Sequence, residues 1–258
     1  MQPRIGTGRP RYARTVTAEN IADRVSVRHY VDDPERGPVP TDAVGRLVAF
    51  DDDVLVIIDR HRDLHIIARQ HVLAAKPIPE HPRRAPEPAV PTRETPFERE
   101  AARVLLLDNS GRVALVAHHP TAATTVWTAP GGGRHADETV EEAARRELRE
   151  ELGIEATPGP VVLERTATFA FHSVWITQHE NWVLVRLDDV LPGIDRAHAI
   201  DDAPLGDAAI SSVRWWSADE LAATTEHVEP PDLAEIVAAL HRDGAPATPW
   251  QRVQDLRR

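Results

Sequence analysis

The segment GGRHADETVEEAARRELREELGI, Gly132 to Ile154, limits what this chain can fold into more than any other stretch. Thr139 followed three residues later by Glu142 is a capping box, and Gly153 is placed to end a helix in the left-handed conformation. The spacing therefore predicts a helix from about Val140 to Leu152. At about 100° per residue, Val140, Ala144 and Leu148 form its apolar stripe, and Glu147 and Glu151 fall about 60° and 20° to one side of Ala144, inside the face that should be buried. Glu150 borders that face. Glu142, Arg146 and Arg149 fall on the opposite side, where Glu142 and Arg146 can pair in water. Most glutamate-rich helices simply present a solvated face. Here two carboxylates, with a third beside them, point toward the protein body with no basic residue at the same angles, and buried unpaired carboxylates are too costly to keep without compensation. A hard divalent cation supplies it. Magnesium takes oxygen ligands from a few carboxylates and keeps several waters, which leaves room for a phosphate oxygen and a nucleophilic water.

The rest of the chain frames this helix. With 258 residues, two domains are expected, each able to bury its own core. The boundary is the stretch KPIPEHPRRAPEPAVPTRETPF, Lys76 to Phe97, which holds seven of the 22 prolines and favours extended polyproline II. A formal charge of -11 opposes nonspecific attraction to nucleic acid or anionic membrane. The chain has no cysteine, which removes disulfides, zinc-thiolate sites and a cysteine nucleophile from consideration. No run approaches the ~18 apolar residues of a membrane span and the opening residues have no apolar core of signal-peptide length, so a cytoplasmic protein is expected.

Before the linker, the β-like runs DRVSVRHYV, AVGRLVAF, DVLVIID and LHIIARQHV, separated by turn-rich stretches, suggest a small all-β barrel. After it, ARVLLLD and RVALVAHH are joined hairpin-fashion by NSG, followed by VWTAP, the glycine run and the acidic helix. VVLERTATFAF, NWVLVRLDD and SSVRWW then read as strands, and SADELAA and PPDLAEIVAALHRDG as helices. Strands on both sides of a central helix indicate a mixed α/β sandwich rather than a Rossmann repeat.

Gly132, Glu138, Arg146, Glu147, Leu148, Glu150, Glu151, Gly153 and Ile154 match every fixed position of the Nudix box, G-x(5)-E-x(7)-R-E-U-x-E-E-x-G-U, where U is a bulky aliphatic residue. The chain thus resembles the Nudix hydrolases from about residue 97 to 245. The resemblance implies an α/β/α sandwich that cleaves a nucleoside diphosphate linked to another group, by water attack on phosphorus with Mg2+ or Mn2+. It implies Glu147, Glu150 and Glu151 as metal ligands, joined by the Gly132 carbonyl. Glu147 or Glu151 would orient or deprotonate the water and Arg146 would hold a catalytic glutamate. Glu138 would stabilise the loop–helix corner, with Gly153 closing the helix. Gly131 and Gly133 let backbone pass close to phosphates, and Arg134 is a candidate substrate contact whose commoner reading is a solvated loop residue. In this family the base often lies outside the box, where Glu180, Asp201, Asp202 and Asp207 are all candidates. The proline that marks many ADP-ribose members and the tyrosine of dinucleoside polyphosphate members are both missing.

For Trp127, Trp175, Trp182, Trp215 and Trp216, core packing outweighs stacking on a base. His118, His119, His135 and Arg165 read as solvated loop or strand-end residues before they read as phosphate contacts. The N-terminal segment is similar, through DRVSVRH, PTDAVGRLVAFDDD and VLAAKPIP, to the SH3-like module of some actinobacterial GNAT-family acetyltransferases. No acyl-CoA-binding segment follows it. The expected division is a basic tail over 1–15, an SH3-like barrel over 16–78, a linker over 79–96, the Nudix domain over 97–245 and a C-terminal tail over 246–258. Expected partners are a small nucleoside diphosphate derivative, with a nucleic acid or protein at the barrel and a second copy of the chain left open, and no membrane. The competing reading is a nucleotide-sensing module of the same fold that binds without turnover.

Overall fold

The computed structural model describes residues 16–33, 36–80, 88–121, 124–135, 137–186 and 212–255. The chain divides into two compact units, Met1–Val90 and Pro91–Arg258. Among the described residues no helix is long and apolar enough to cross a membrane.

The first unit is a five-stranded antiparallel sheet of β1 (Arg24–Asp33), β2 (Gly37–Phe50), β3 (Val54–Asp59), β4 (Leu64–Ala68) and β5 (Val72–Pro77), in the order β4-β3-β2-β1-β5. Aspartates make its tight turns. Asp51 accepts from the backbone N–H groups of Asp53 (2.8 Å) and Val54 (2.7 Å), and Asp59 from those of His61 (2.8 Å) and Asp63 (2.9 Å). Val25 and Val27 from β1, Leu47 from β2, Leu55 and Ile57 from β3, Ile67 from β4 and Ala75 from β5 share one core. Flat strands about 4.8 Å apart would set β4 and β5 roughly 19 Å from each other. Residues of all five strands nonetheless belong to one core, which is consistent with a small barrel-like unit. The run LHIIARQHV, one strand by its sequence, is broken by a 3-10 turn at Arg69–His71, and β5 starts at its last residue.

The second unit is built on β6 (Phe97–Leu107), β7 (Val113–Thr121), β8 (Thr124–Thr128), β9 (Gly131–Gly133), β10 (Val161–Phe171), β11 (Val174–Arg186), β12 (Ser212–Trp216), β13 (Val228–Glu229) and β14 (Trp250–Asp255). Its helices are α1 (Val140–Leu152), α2 (Ala218–Ala223) and α3 (Leu233–Asp243). The strands form one mixed sheet in the order β13-β8-β7-β6-β11-β10-β14, with β12 on β7 and β9 on β6. Alternation along the strands gives the sheet two apolar faces. Val104, Leu106, Val183, Val185 and Trp215 pack with Ala143, Ala144 and Leu148 of α1. Leu105, Leu107, Trp182, Leu184 and Trp216 pack on the other side with Leu221 of α2 and Leu233, Ile236, Val237 and Leu240 of α3. The result is an α/β/α sandwich.

Helix α1 has the expected ends. The Thr139 hydroxyl accepts from the Glu142 N–H (3.2 Å), the Glu142 carboxylate returns to the Thr139 N–H (2.8 Å), and Gly153 sits at φ +66°. Two segments differ from expectation. The glycine run is a strand, β9, because it pairs with β6 as Ala101↔Gly133, Ala102↔Gly132 and Arg103↔Gly131. The C-terminal residues expected as a tail form β14, which runs parallel to β10 from Leu163↔Trp250 to Thr168↔Asp255.

Candidate active site

Strands β6 and β7 pair only at Leu107↔Val113, and β9 takes the edge of β6 that β7 leaves. The split this makes in the sheet is where α1 presents its carboxylates. Gly131 has φ +136°, and a Cβ there would sit 2.1 Å from the Ala102 carbonyl oxygen. A Cβ on Gly132 would sit 2.8 Å from Oε1 of Glu147. Glycine is required at Gly131, where φ is positive and a Cβ would strike backbone, whereas at Gly132 a Cβ would press on the Glu147 carboxylate.

Arg146 organises the helix side of the split. Its Nε and Nη2 donate to Glu138 (2.7 and 2.9 Å), its Nη1 to Glu147 (2.6 Å) and Glu150 (3.1 Å), and its Nη2 also to the Gly133 carbonyl (3.0 Å). This corrects the angular reading. Although its Cα lies away from the apolar stripe, its long side chain sweeps back toward the helix N-terminus. It is mostly buried among the acids rather than pairing with Glu142 in water. Glu147, 3% exposed, therefore has a basic partner after all. The paired hydrogen bonds from Arg146, helped by the His135 N–H, outweigh burial and hold the Glu138 carboxyl down at about 2. Burial alone would lower the Arg146 pKa, but the acids around it raise it above its ordinary value.

The three box glutamates have separate environments. Glu147 is enclosed behind Gly132, Glu150 is half exposed beside Arg146, and Glu151 accepts from the Gly131 N–H (2.8 Å) and borders a cavity of about 380 Å3. Among the described residues no three His, Asp or Glu side chains are gathered closely enough to hold a metal ion. The donors beside Gly131 and Gly132 are all hard oxygens from two carboxylates and backbone. That donor set fits a cation that retains most of its water, as magnesium does. Gly131 and Gly132 line the cavity, whereas Gly133 and Arg134 are not among its described lining. Arg134 instead donates to the Glu138 carbonyl (3.0 Å), and His135 is exposed at the same corner.

The opposite wall is one that sequence reasoning largely missed. Arg165 is not a solvated strand-end residue. It is 5% exposed and donates to Glu180 (3.1 Å), to Glu229 of β13 (2.5 Å) and to Gln254 of β14. Glu180 also accepts from Trp182 Nε1 (2.8 Å) and Gln178 (2.7 Å), and Arg99 donates to Gln178 (2.7 Å). Burial would raise the Glu180 pKa, yet Arg103, Arg165 and these hydrogen bonds together hold it below its ordinary value. A carboxylate so saturated is a poor proton acceptor, which weighs against Glu180 among the general-base candidates. Asp201, Asp202 and Asp207 lie outside the described residues. Four of the five tryptophans are buried as expected. Trp175 instead lines the cavity with Phe169, Phe171 and His118. Glu229 had no signal in the sequence, because it sits in a two-residue strand that only its pairing with β8 defines.

The NUDIX domain family matches residues 97–240 of the chain. No curated protein matches it. Among solved structures it is similar to the ORF135 protein of E. coli, with 26% identity over 58% of this chain and 95% of that one and a TM-score of 0.38. It is similar also to a MutT protein from Methanosarcina mazei Go1, with 17% identity over 57% and 94% and a TM-score of 0.38. An ADP-ribose pyrophosphatase from Streptococcus suis 89-1591 shares 14% identity over 60% and 98%, with a TM-score of 0.36.

Proposed function

Because the chain belongs to the NUDIX domain family and is a hydrolase of phosphoric anhydrides, we propose that it cleaves a nucleoside diphosphate linked to a second group, with a divalent cation, by water attack on phosphorus. One observation carries this reading. Glu151 and the Gly131–Gly132 backbone share a single cavity with Phe169, Phe171 and Trp175, so carboxylate chemistry and an aromatic surface for a base lie in one enclosure.

Glu151, the box glutamate that borders the cavity, would hold the cation and orient or deprotonate the attacking water. Glu147, Glu150 and the Gly132 carbonyl would be its other protein ligands. A cation bound there supplies the positive charge that phosphoryl transfer requires against the anhydride oxygens. Arg146 holds the Glu147 carboxylate in place, and Glu138 fixes Arg146 in turn. Gly131 and Gly132 let the diphosphate approach the backbone without a Cβ in its way. The saturated ion pairs of the far wall leave the aromatic side chains to hold the nucleoside. The N-terminal unit, an antiparallel sheet with a core of its own and none of the box residues, is read as an SH3-like barrel concerned with partner choice rather than chemistry.

The test is a screen of nucleoside diphosphate derivatives with Mg2+ and Mn2+, scored as phosphate released after phosphatase coupling. Hydrolysis of at least one compound, abolished by EDTA and restored by either ion, is expected. A compound that binds without being cleaved under any of these conditions would support the nucleotide-sensing reading instead.

A further inference from the structure

Arg103 is the one charged side chain in the buried run Ala101–Leu107. A guanidinium inside an apolar strand is costly, and it is retained only where its partners compensate. Those partners are specific. Nη1 donates to the Gly131 carbonyl (2.6 Å) and the Ala129 carbonyl (3.2 Å), and Nε lies 3.7 Å from Oε1 of Glu180. Between these two carbonyls, the Pro130 carbonyl accepts from the Val104 N–H (2.8 Å). Two adjacent residues of β6 thus hold three consecutive carbonyls, Ala129, Pro130 and Gly131. The peptide at the centre of this clamp carries the Gly131 N–H, which donates to Glu151 (2.8 Å). Glycine sets its own backbone orientation weakly, so the direction of that N–H is decided by the clamp.

We propose that Arg103 is a positioning residue for hydrolysis: by gripping the carbonyls on either side of the Gly131 N–H, it aims the Glu151 carboxylate into the cavity. This rests on the assignment of Glu151 as the working carboxylate. Glu180 acts at one remove as the counter-charge that keeps Arg103 in place, and Arg165 and Trp182 hold Glu180 from its other oxygen. Lysine at position 103 would keep the charge but has no planar fork to span two carbonyls and a carboxylate.

A double-mutant cycle separates positioning from a merely structural role. Arg103→Lys is expected to lower kcat by about tenfold or more with KM within about twofold, and to weaken Mn2+ binding measured by water-proton relaxation. In a Glu151→Gln background the same substitution should change residual kcat and Mn2+ affinity by less than about twofold, because the group it acts through is gone. Equal losses in both backgrounds, or an unchanged kcat in the first, would overturn the proposal. If Arg103→Lys does not fold, Arg103→Gln, which keeps one donor for a carbonyl, replaces it in the same cycle. A wild-type protein that hydrolyses no anhydride would count against the proposed function, and the Mn2+ arm would then decide the role of Arg103 by itself.

Discussion

Arg146 shows how one side chain sets the charge state of its surroundings. It bridges Glu138, Glu147, Glu150 and the Gly133 carbonyl, so the acids that repel one another along the helix share one cation. Its strongest partner is Glu138, whose pKa lies well below the ordinary 4.5 of a glutamate, at about 2. A carboxyl whose folded pKa is depressed stabilises the fold above its unfolded pKa, and that contribution is lost as pH falls through the folded value. The stability gap between the wild type and Glu138→Gln should therefore be full at neutral pH and should close between pH 4.5 and about 2. Urea unfolding of both proteins at several pH values checks this, and a gap that stays constant would mean the Arg146 pair is not its source. Glu151→Gln is expected to reduce turnover to a small residue, with kcat/KM down by at least about a hundredfold. The fold should remain, since glutamine still offers an oxygen to the Gly131 N–H. An unchanged rate on the best substrate, with circular dichroism confirming a folded variant, would remove Glu151 from the site.

At the level of elements, α1 was legible to the residue because everything that defines it is local. Its cap relates Thr139 to Glu142, its stripe relates Val140, Ala144 and Leu148, and its stop is Gly153. β14 was not legible. WQRVQD has no firm alternation, Val253 is 85% exposed, and the strand exists because β10 offers an edge to pair with. Through Gln254 it also reaches Arg165 and Glu229 in the cavity wall. Deleting residues 249–258 should therefore raise KM as well as lower Tm. A loss of Tm with KM unchanged on the same substrate would show that β14 only covers an edge and leaves the wall intact.

Across the whole molecule, every matched box residue lies in the second compact unit. A fragment beginning at Thr92 is accordingly expected to fold alone and keep most of the hydrolase activity. The measurement is kcat/KM for the full chain and the fragment on one substrate, after circular dichroism has shown both to be folded. A loss of a hundredfold or more, about 2.7 kcal/mol of transition-state stabilisation, would place the N-terminal unit in the reaction itself.

The sequence by itself determined the acidic helix, its two ends, the spacing of its carboxylates and the glycines before it, because these depend on neighbours within one or two helical turns. It also marked the proline-rich boundary, which is a matter of composition. Tertiary structure decided what the carboxylates face. Arg165 and Glu180 are 15 residues apart, Arg103 and Gly131 28, and Arg165 and Glu229 64. No periodicity links such positions. They meet because β6, β10, β11 and β13 bring them to one side of a split sheet, and only that pairing turns a buried arginine or a lone glutamate from an apparent cost into a satisfied wall of the cavity.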